Sequence, residues 1–131
     1  ILPATAIGFL SVAVLNLNNM RDEASDRKSG KNTLVVKMGI ENAKKYHYFL
    51  IIGAMVLVVV FAILSGFNFD QYLFLIAYLP LVKHLITVYN NQNNKLLDPE
   101  LKKVALSTFA LSVLLALCMI FFFSDVIVNN S

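Results

Sequence analysis

An all-α bundle of about four transmembrane helices is the fold this sequence predicts, on three observations. The chain is 58% hydrophobic, with a mean hydropathy of +0.70. Only 15% of its residues are charged, against roughly 25% in a soluble domain. All 11 Lys and Arg fall in two windows, Arg21 to Lys45 and Lys83 to Lys103, with long uncharged runs between and beyond them. Apolar runs that can cross a bilayer, joined by short charged loops, are the layout of a polytopic membrane protein. Backbone groups in lipid must be satisfied within their own segment, and that selects helix.

The first apolar run covers Ile1 to Leu17, and nothing breaks a helix until Gly30. Pro3 suits a first turn, and Gly30 suits a C-terminal cap. A helix over positions 1 to 28 would be roughly 42 Å long, enough to cross the hydrocarbon and enter the interface. Residues 18–45 read as a charged motif loop at the membrane surface, with the basic connector Lys31 to Lys45 as its second part.

The second span is Tyr46 to Leu64, where Tyr46, His47 and Tyr48 fit an interfacial anchor. The third covers about 70–89 and contains Pro80, predicted as a kink. Lys83 and His84 end it and read as snorkelling interface residues, while Tyr78 sits at mid-span, placed to cap a cavity. Asn90 to Asn94 is a polar loop, and Asp98-Pro99 reads as N-cap and first residue of a helix. The fourth span is Val104 to Phe123, followed by a polar tail from Asp125 to Ser131.

The loops after the first and third spans are basic, and the loop after the second has no Lys or Arg. The positive-inside rule therefore puts both basic loops in the cytoplasm. The same bias accounts for the net charge of +3 without nucleic acid. The single cysteine, Cys118, excludes a disulfide framework and a cysteine-based metal site. The chain opens at Ile1 inside an apolar run without an initiating Met, so it is expected to be a piece of a longer protein.

The chemistry concentrates between Asn18 and Lys31. On a helix Asn18, Asp22 and Asp26 form one stripe, spaced four apart, with Asn19 at its flank. Two carboxylates at that spacing repel each other, and a cation between them would reverse the sign. Carboxylate and amide oxygens suit Mg2+, which takes one or two carboxylates and completes its shell with water and substrate phosphate. Arg21, Arg27, Lys28, Lys31 and Lys37 stand close by and could take the remaining phosphate oxygens. From spacing alone, a solvated loop of mixed charge accounts for the same residues equally well.

The pattern Asn18-Asn19-x-Arg21-Asp22-x-x-x-Asp26-Arg27-x-x-Gly30-Lys31-x-Thr33-Leu34, closing with Lys37-x-Gly39, resembles the second aspartate-rich motif of the UbiA-type membrane prenyltransferases. Within that superfamily it is most similar to the menaquinone-biosynthesis branch. The resemblance covers the whole chain, residues 1–131, as the C-terminal four helices of a nine-helix domain. It implies Mg2+-dependent transfer of a polyprenyl group from polyprenyl diphosphate to 1,4-dihydroxy-2-naphthoate, with decarboxylation, giving demethylmenaquinone. Asp22 and Asp26 are then the catalytic metal ligands with Asn18 in support. Asn18, Arg21, Arg27, Lys31 and Lys37 are the diphosphate-binding residues. The setting it implies is the bacterial cytoplasmic membrane, with the motif on the cytoplasmic side.

In the family a first aspartate-rich motif on an earlier helix completes the site. It is not in these residues, so the piece alone is expected to be inactive. Two alternatives stay open at this point. One is another aromatic acceptor, such as 4-hydroxybenzoate, homogentisate or a haem precursor. The other is a four-helix transport or scaffold subunit, which the lack of acidic residues at mid-span disfavours.

The topology is directly testable. In a Cys118→Ala background, cysteines at Asn32 and Asn93 should be blocked by a membrane-impermeant maleimide from the cytoplasmic side only. A cysteine at Asn68 should be blocked from the opposite side only. The reverse pattern would invert the assignment.

Overall fold

The computed structural model describes residues 1–129, and its elements are all helical. They run α1 (Leu2–Lys28), α2 (Leu34–Met38), α3 (Ile40–Ser65), a 3-10 helix (Phe69–Ala77), α4 (Tyr78–Asn90), a 3-10 turn (Asn94–Leu97) and α5 (Asp98–Asn129). Four stretches are long and apolar enough to cross a membrane: Leu2–Lys28, Ile40–Ser65, Phe69–Asn90 and Asn94–Ser124. The predicted all-α, four-span architecture is thus present, with longer helices than the apolar runs alone suggested.

The motif segment is helix as far as Lys28, as the lack of a breaker before Gly30 predicted, and the stretch read as loop over 18–45 is mostly helical. α1 continues unbroken through Asn18 to Lys28, because nothing in that polar stretch interrupts it. It ends where Gly30 takes a left-handed φ of 73°. The Gly30 N–H then bonds the Arg27 carbonyl at 3.3 Å, and the Lys31 N–H bonds the Asp26 carbonyl at 2.9 Å. These are the two bonds of a Schellman cap, and a side chain at Gly30 would disfavour them. α2 is capped by Thr33, whose Oγ1 accepts from the Val36 N–H at 3.2 Å. α3 starts at Ile40 rather than Tyr46, since Glu41 to Lys45 contain no breaker.

The third span changes pitch. It opens as 3-10 helix, with a non-helical residue at Tyr72, and becomes α at Tyr78. Pro80 therefore falls in the first turn of α4, where its missing N–H would have had no intrahelical partner. The predicted mid-span kink is instead a junction between two helix types. α5 begins at Asp98 and runs to Asn129, so the tail predicted from Asp125 continues as helix. Asn130 and Ser131 lie outside the described residues.

α1 packs against α3 and α5, and the third span packs against α5. Ala6, Leu10, Ala13, Leu17 and Met20 make the buried stripe of α1, facing Ile51, Ala54, Val58 and Ala62 among others. Small residues on both faces let the helices approach closely. At Gly53 a Cβ would meet the Phe9 ring at 3.1 Å. Only 28% of the residues in each span's most apolar window are buried. Large side chains such as Phe49, Leu64, Leu79 and Phe109 point outward. An apolar surface of that extent is suited to lipid or to further helices, not to water.

Gly53→Val should push Phe9 and α3 apart and destabilise the fold by about 1–3 kcal/mol, the usual cost of overpacking. The measurement is the thermal unfolding midpoint in detergent, and an unchanged midpoint would contradict the close approach.

Candidate functional site

Arg21 is the hub where α1 meets the head of α5. Its Nε donates to Asp22 Oδ1 and its Nη2 to Asp22 Oδ2, both at 2.9 Å. Nη2 also donates to Asn18 Oδ1 at 2.9 Å, and Nη1 donates to Asp98 Oδ1 at 2.7 Å. A guanidinium is a planar fork, so these contacts fix both carboxylates relative to Asn18. The ring of contacts joins three residues of the motif to one from 77 positions away in sequence.

A cavity of about 820 Å3 opens beside this cluster. α1 lines it with Arg21, Asp22, Ala24 and Ser25, and the connection from α4 to α5 lines it with Gln92 to Lys95 and Asp98. The cavity is therefore walled by both charged windows of the sequence. It combines carboxylates, amides and cations, the donor and acceptor types that a metal-diphosphate group requires.

The other predicted residues fall in different places. Asp26, one turn beyond Asp22, is 6% exposed and accepts from Lys31 Nζ at 3.1 Å. It is not among the residues lining the large cavity. Arg27 pairs with Glu23 through Nε at 2.8 Å and faces outward. Lys37 is exposed in the last turn of α2. Asn18 also borders a second cavity, of about 530 Å3, with Leu101 and Lys102 of α5. The structure thus gathers Asn18, Arg21 and Asp22, keeps Asp26 and Lys31 adjacent as an ion pair, and leaves Arg27 and Lys37 on the surface.

Does this donor set suit a hard divalent cation? Two carboxylates and an amide oxygen on one helix are chemically apt, and Asp22 opens onto a polar cavity. Yet among the described residues no three His, Cys, Asp or Glu side chains are grouped to hold a metal ion. The residues present fit at most one side of a coordination shell, with Asp22 on the cavity and Asp26 turned to Lys31.

Two functional neighbours escaped the sequence reading. Asp98, read as an N-cap, is itself helical at φ −56° and ψ −46°, and its carboxylate reaches α1 instead. The Asn/Gln tract, read only as a polar loop, contributes Gln92, Asn93 and Asn94 to the cavity wall. Neither carries a local signal, since both depend on which helix ends meet.

His47 and His84 need a correction. Both were predicted at the interface, and both are fully buried. Their Nε2 atoms lie 2.7 Å apart, and His84 Nδ1 lies 2.7 Å from Glu100 Oε2. Lys103 donates to the other Glu100 oxygen. The chain of polar groups links α3, α4 and α5. Lys83, by contrast, is exposed, as snorkelling requires. Tyr78 does border a cavity: its hydroxyl donates to the Met55 carbonyl at 2.7 Å, beside an apolar groove of about 510 Å3 between α3 and α4.

The UbiA prenyltransferase family model matches residues 1–98. The 1,4-dihydroxy-2-naphthoate octaprenyltransferase of Escherichia coli is 41% identical over 117 residues, which is 89% of this chain and 38% of that protein. The protein of the same name from Haemophilus influenzae is 38% identical over 117 residues, with the same shares of 89% and 38%. UbiA prenyltransferase domain-containing protein 1 of Dictyostelium discoideum is 29% identical over 98 residues, covering 75% of this chain and 28% of that protein. The chain spans 38% of the length of the first two relatives. No solved structure gives a significant match. With the motif helix inside the matched region and four membrane-length helices around it, the chain belongs to the UbiA prenyltransferase family.

Proposed function

We propose that this chain carries the C-terminal part of a Mg2+-dependent aromatic prenyltransferase. The donor is a polyprenyl diphosphate and the acceptor is 1,4-dihydroxy-2-naphthoate. The observation that carries the reading is the Asn18–Arg21–Asp22 cluster on the wall of a polar cavity, in a region 41% and 38% identical to two naphthoate octaprenyltransferases. Family membership also disfavours a transport or scaffold role.

The chemistry follows from what each residue offers. Asp22 and Asp26, with the Asn18 amide oxygen, would hold Mg2+. That ion, when bound, supplies positive charge to the diphosphate as it leaves. Arg21 holds Asp22 in a fixed orientation, so the carboxylate is preorganised. Lys31 is 67% exposed on its pair with Asp26, so its ammonium can leave Asp26 and meet a diphosphate oxygen. Arg27 and Lys37, both on the surface, add positive charge to the same side of the motif segment.

The reaction itself breaks the allylic C–O bond of the donor and releases diphosphate. The electron-rich ring attacks the allylic cation at the carbon bearing the carboxylate. Loss of that carboxylate as CO2 restores aromaticity and gives the prenylated naphthalenediol, the reduced form of demethylmenaquinone. An allylic cation survives only where water is scarce. The apolar faces of α3, α4 and α5 supply that environment and accommodate the isoprenoid tail. The bacterial cytoplasmic membrane, with both basic loops inside, places the cavity where soluble acceptor and lipid-borne donor meet.

In the full-length protein, Asp22→Asn and Asp26→Asn should each reduce prenyl transfer by at least about a hundredfold with membrane insertion intact. Retained transfer would remove both residues from the site. Lys31→Glu should raise the KM for the prenyl diphosphate and leave that for the naphthoate nearly unchanged. An unaltered donor KM would exclude Lys31 from diphosphate binding.

A further inference from the structure

We propose that His47, His84 and Glu100 are positioning residues for the Asp22 site, holding the head of α5 so that Asp98 stays against Arg21. The inference rests on the assignment of Asp22 to the donor site given above. No step of the proposed transfer uses the three residues, yet they form a buried polar chain: His47 and His84 are 0% exposed and Glu100 is 3% exposed.

The geometry makes the chain rigid. Glu100 has one oxygen on His84 Nδ1 and the other on Lys103 Nζ, so its carboxylate cannot rotate without losing a partner. An ionised Glu100 accepts only, so His84 Nδ1 carries the proton between them. The two Nε2 atoms at 2.7 Å share one proton, so one ring donates and the other accepts. Each group is desolvated, and removing any one leaves a buried polar atom unpaired. The head of α5 is thereby pinned to α4 through His84, and α4 in turn to α3 through His47.

The consequence reaches the cavity within one turn. Asp98 lies two residues before Glu100 on the same helix, and its side chain is 70% exposed. Among the described residues Arg21 is the side chain it contacts. An exposed carboxylate with one contact has no packing of its own to hold it. Its position is set by the backbone of the first turn, which Glu100 fixes. Arg21 then divides its fork between Asp98 and Asp22. Release of Asp98 leaves the guanidinium held from α1 alone, by Asp22 and Asn18, and removes the tie that sets both against α5. Even a small displacement of the carboxylate is costly where geometry decides binding.

The test uses the full-length protein in lipid nanodiscs. Glu100→Gln keeps the shape and an acceptor for His84, and loses the charge. It should weaken prenyl diphosphate binding roughly tenfold while the naphthoate KM moves less than about twofold. Asp98→Asn, at the surface, should do the same. The double variant should be no worse than either single one, because both act through one link. Additive effects, or unchanged donor binding in Glu100→Gln, would overturn the proposal.

A second readout is independent of catalysis. Spin labels at Lys28 and Lys102 should give a narrow distance distribution in the parent and a broadened one in Glu100→Gln; equal widths would overturn the positioning role. Should Glu100→Gln fail to insert, Lys103→Met frees one Glu100 oxygen from outside the core and should move both readouts the same way. No change in either readout would count equally against the proposal. If the parent transfers no prenyl group, the enzymatic reading fails, while the distance distribution still decides the positioning role.

Discussion

A guanidinium offers five N–H donors in one plane, and Arg21 commits four contacts to three oxygen-bearing partners on two helices. The rest of the candidate site depends on that commitment. Without it, Asn18 and Asp22 are polar residues at the end of a membrane helix, and Asp98 is a surface acid at the start of another. With it, the two charged windows of the chain close around one cavity. The arrangement also explains why an acidic stripe is tolerable here. Asp22 is matched by Arg21, Asp26 by Lys31 and Glu23 by Arg27, so each acid of the motif has a cation within reach.

The fold beneath the site is of a different character. Its helices are mostly clothed in outward-facing aliphatic and aromatic side chains, and its internal contact is narrow, built on Ala, Gly and Leu. Polar groups inside it occur chiefly as pairs or chains. Asn16 donates to the Ala43 carbonyl at 3.0 Å, Tyr78 to the Met55 carbonyl, and the two histidines meet each other. In a medium without water this economy is what the backbone demands as well.

The spans were legible in the sequence because hydropathy and charge clustering act locally. Helix limits were legible where a capping signal marks them, as at Asp98-Pro99, and not at Ile40, which starts its helix in a polar stretch that hydropathy cannot distinguish from loop. Of the site, the Asn18–Asp22–Asp26 stripe was visible from its period of four. Its partners were not. Asp98 and the Gln92–Lys95 segment reach Arg21 and Asp22 only through packing of α5 on α1. His47 and His84 were misplaced for the same reason. A histidine near a helix end reads as interfacial until a second one, 37 residues later, is found opposite it.

The change of pitch in the third span has a metrical consequence. A 3-10 helix rises about 2.0 Å per residue against about 1.5 Å for α. Wound straight, the nine residues Phe69–Ala77 would reach about 18 Å, against about 14 Å as α-helix, and the kink at Tyr72 takes back part of the gain. The span has 22 residues beside neighbours of 26 and 31, and the stretch restores some of its height. Loosening one end of the rod in this way lets the other end draw level with its neighbours. His84 near that end stands opposite His47 and Glu100.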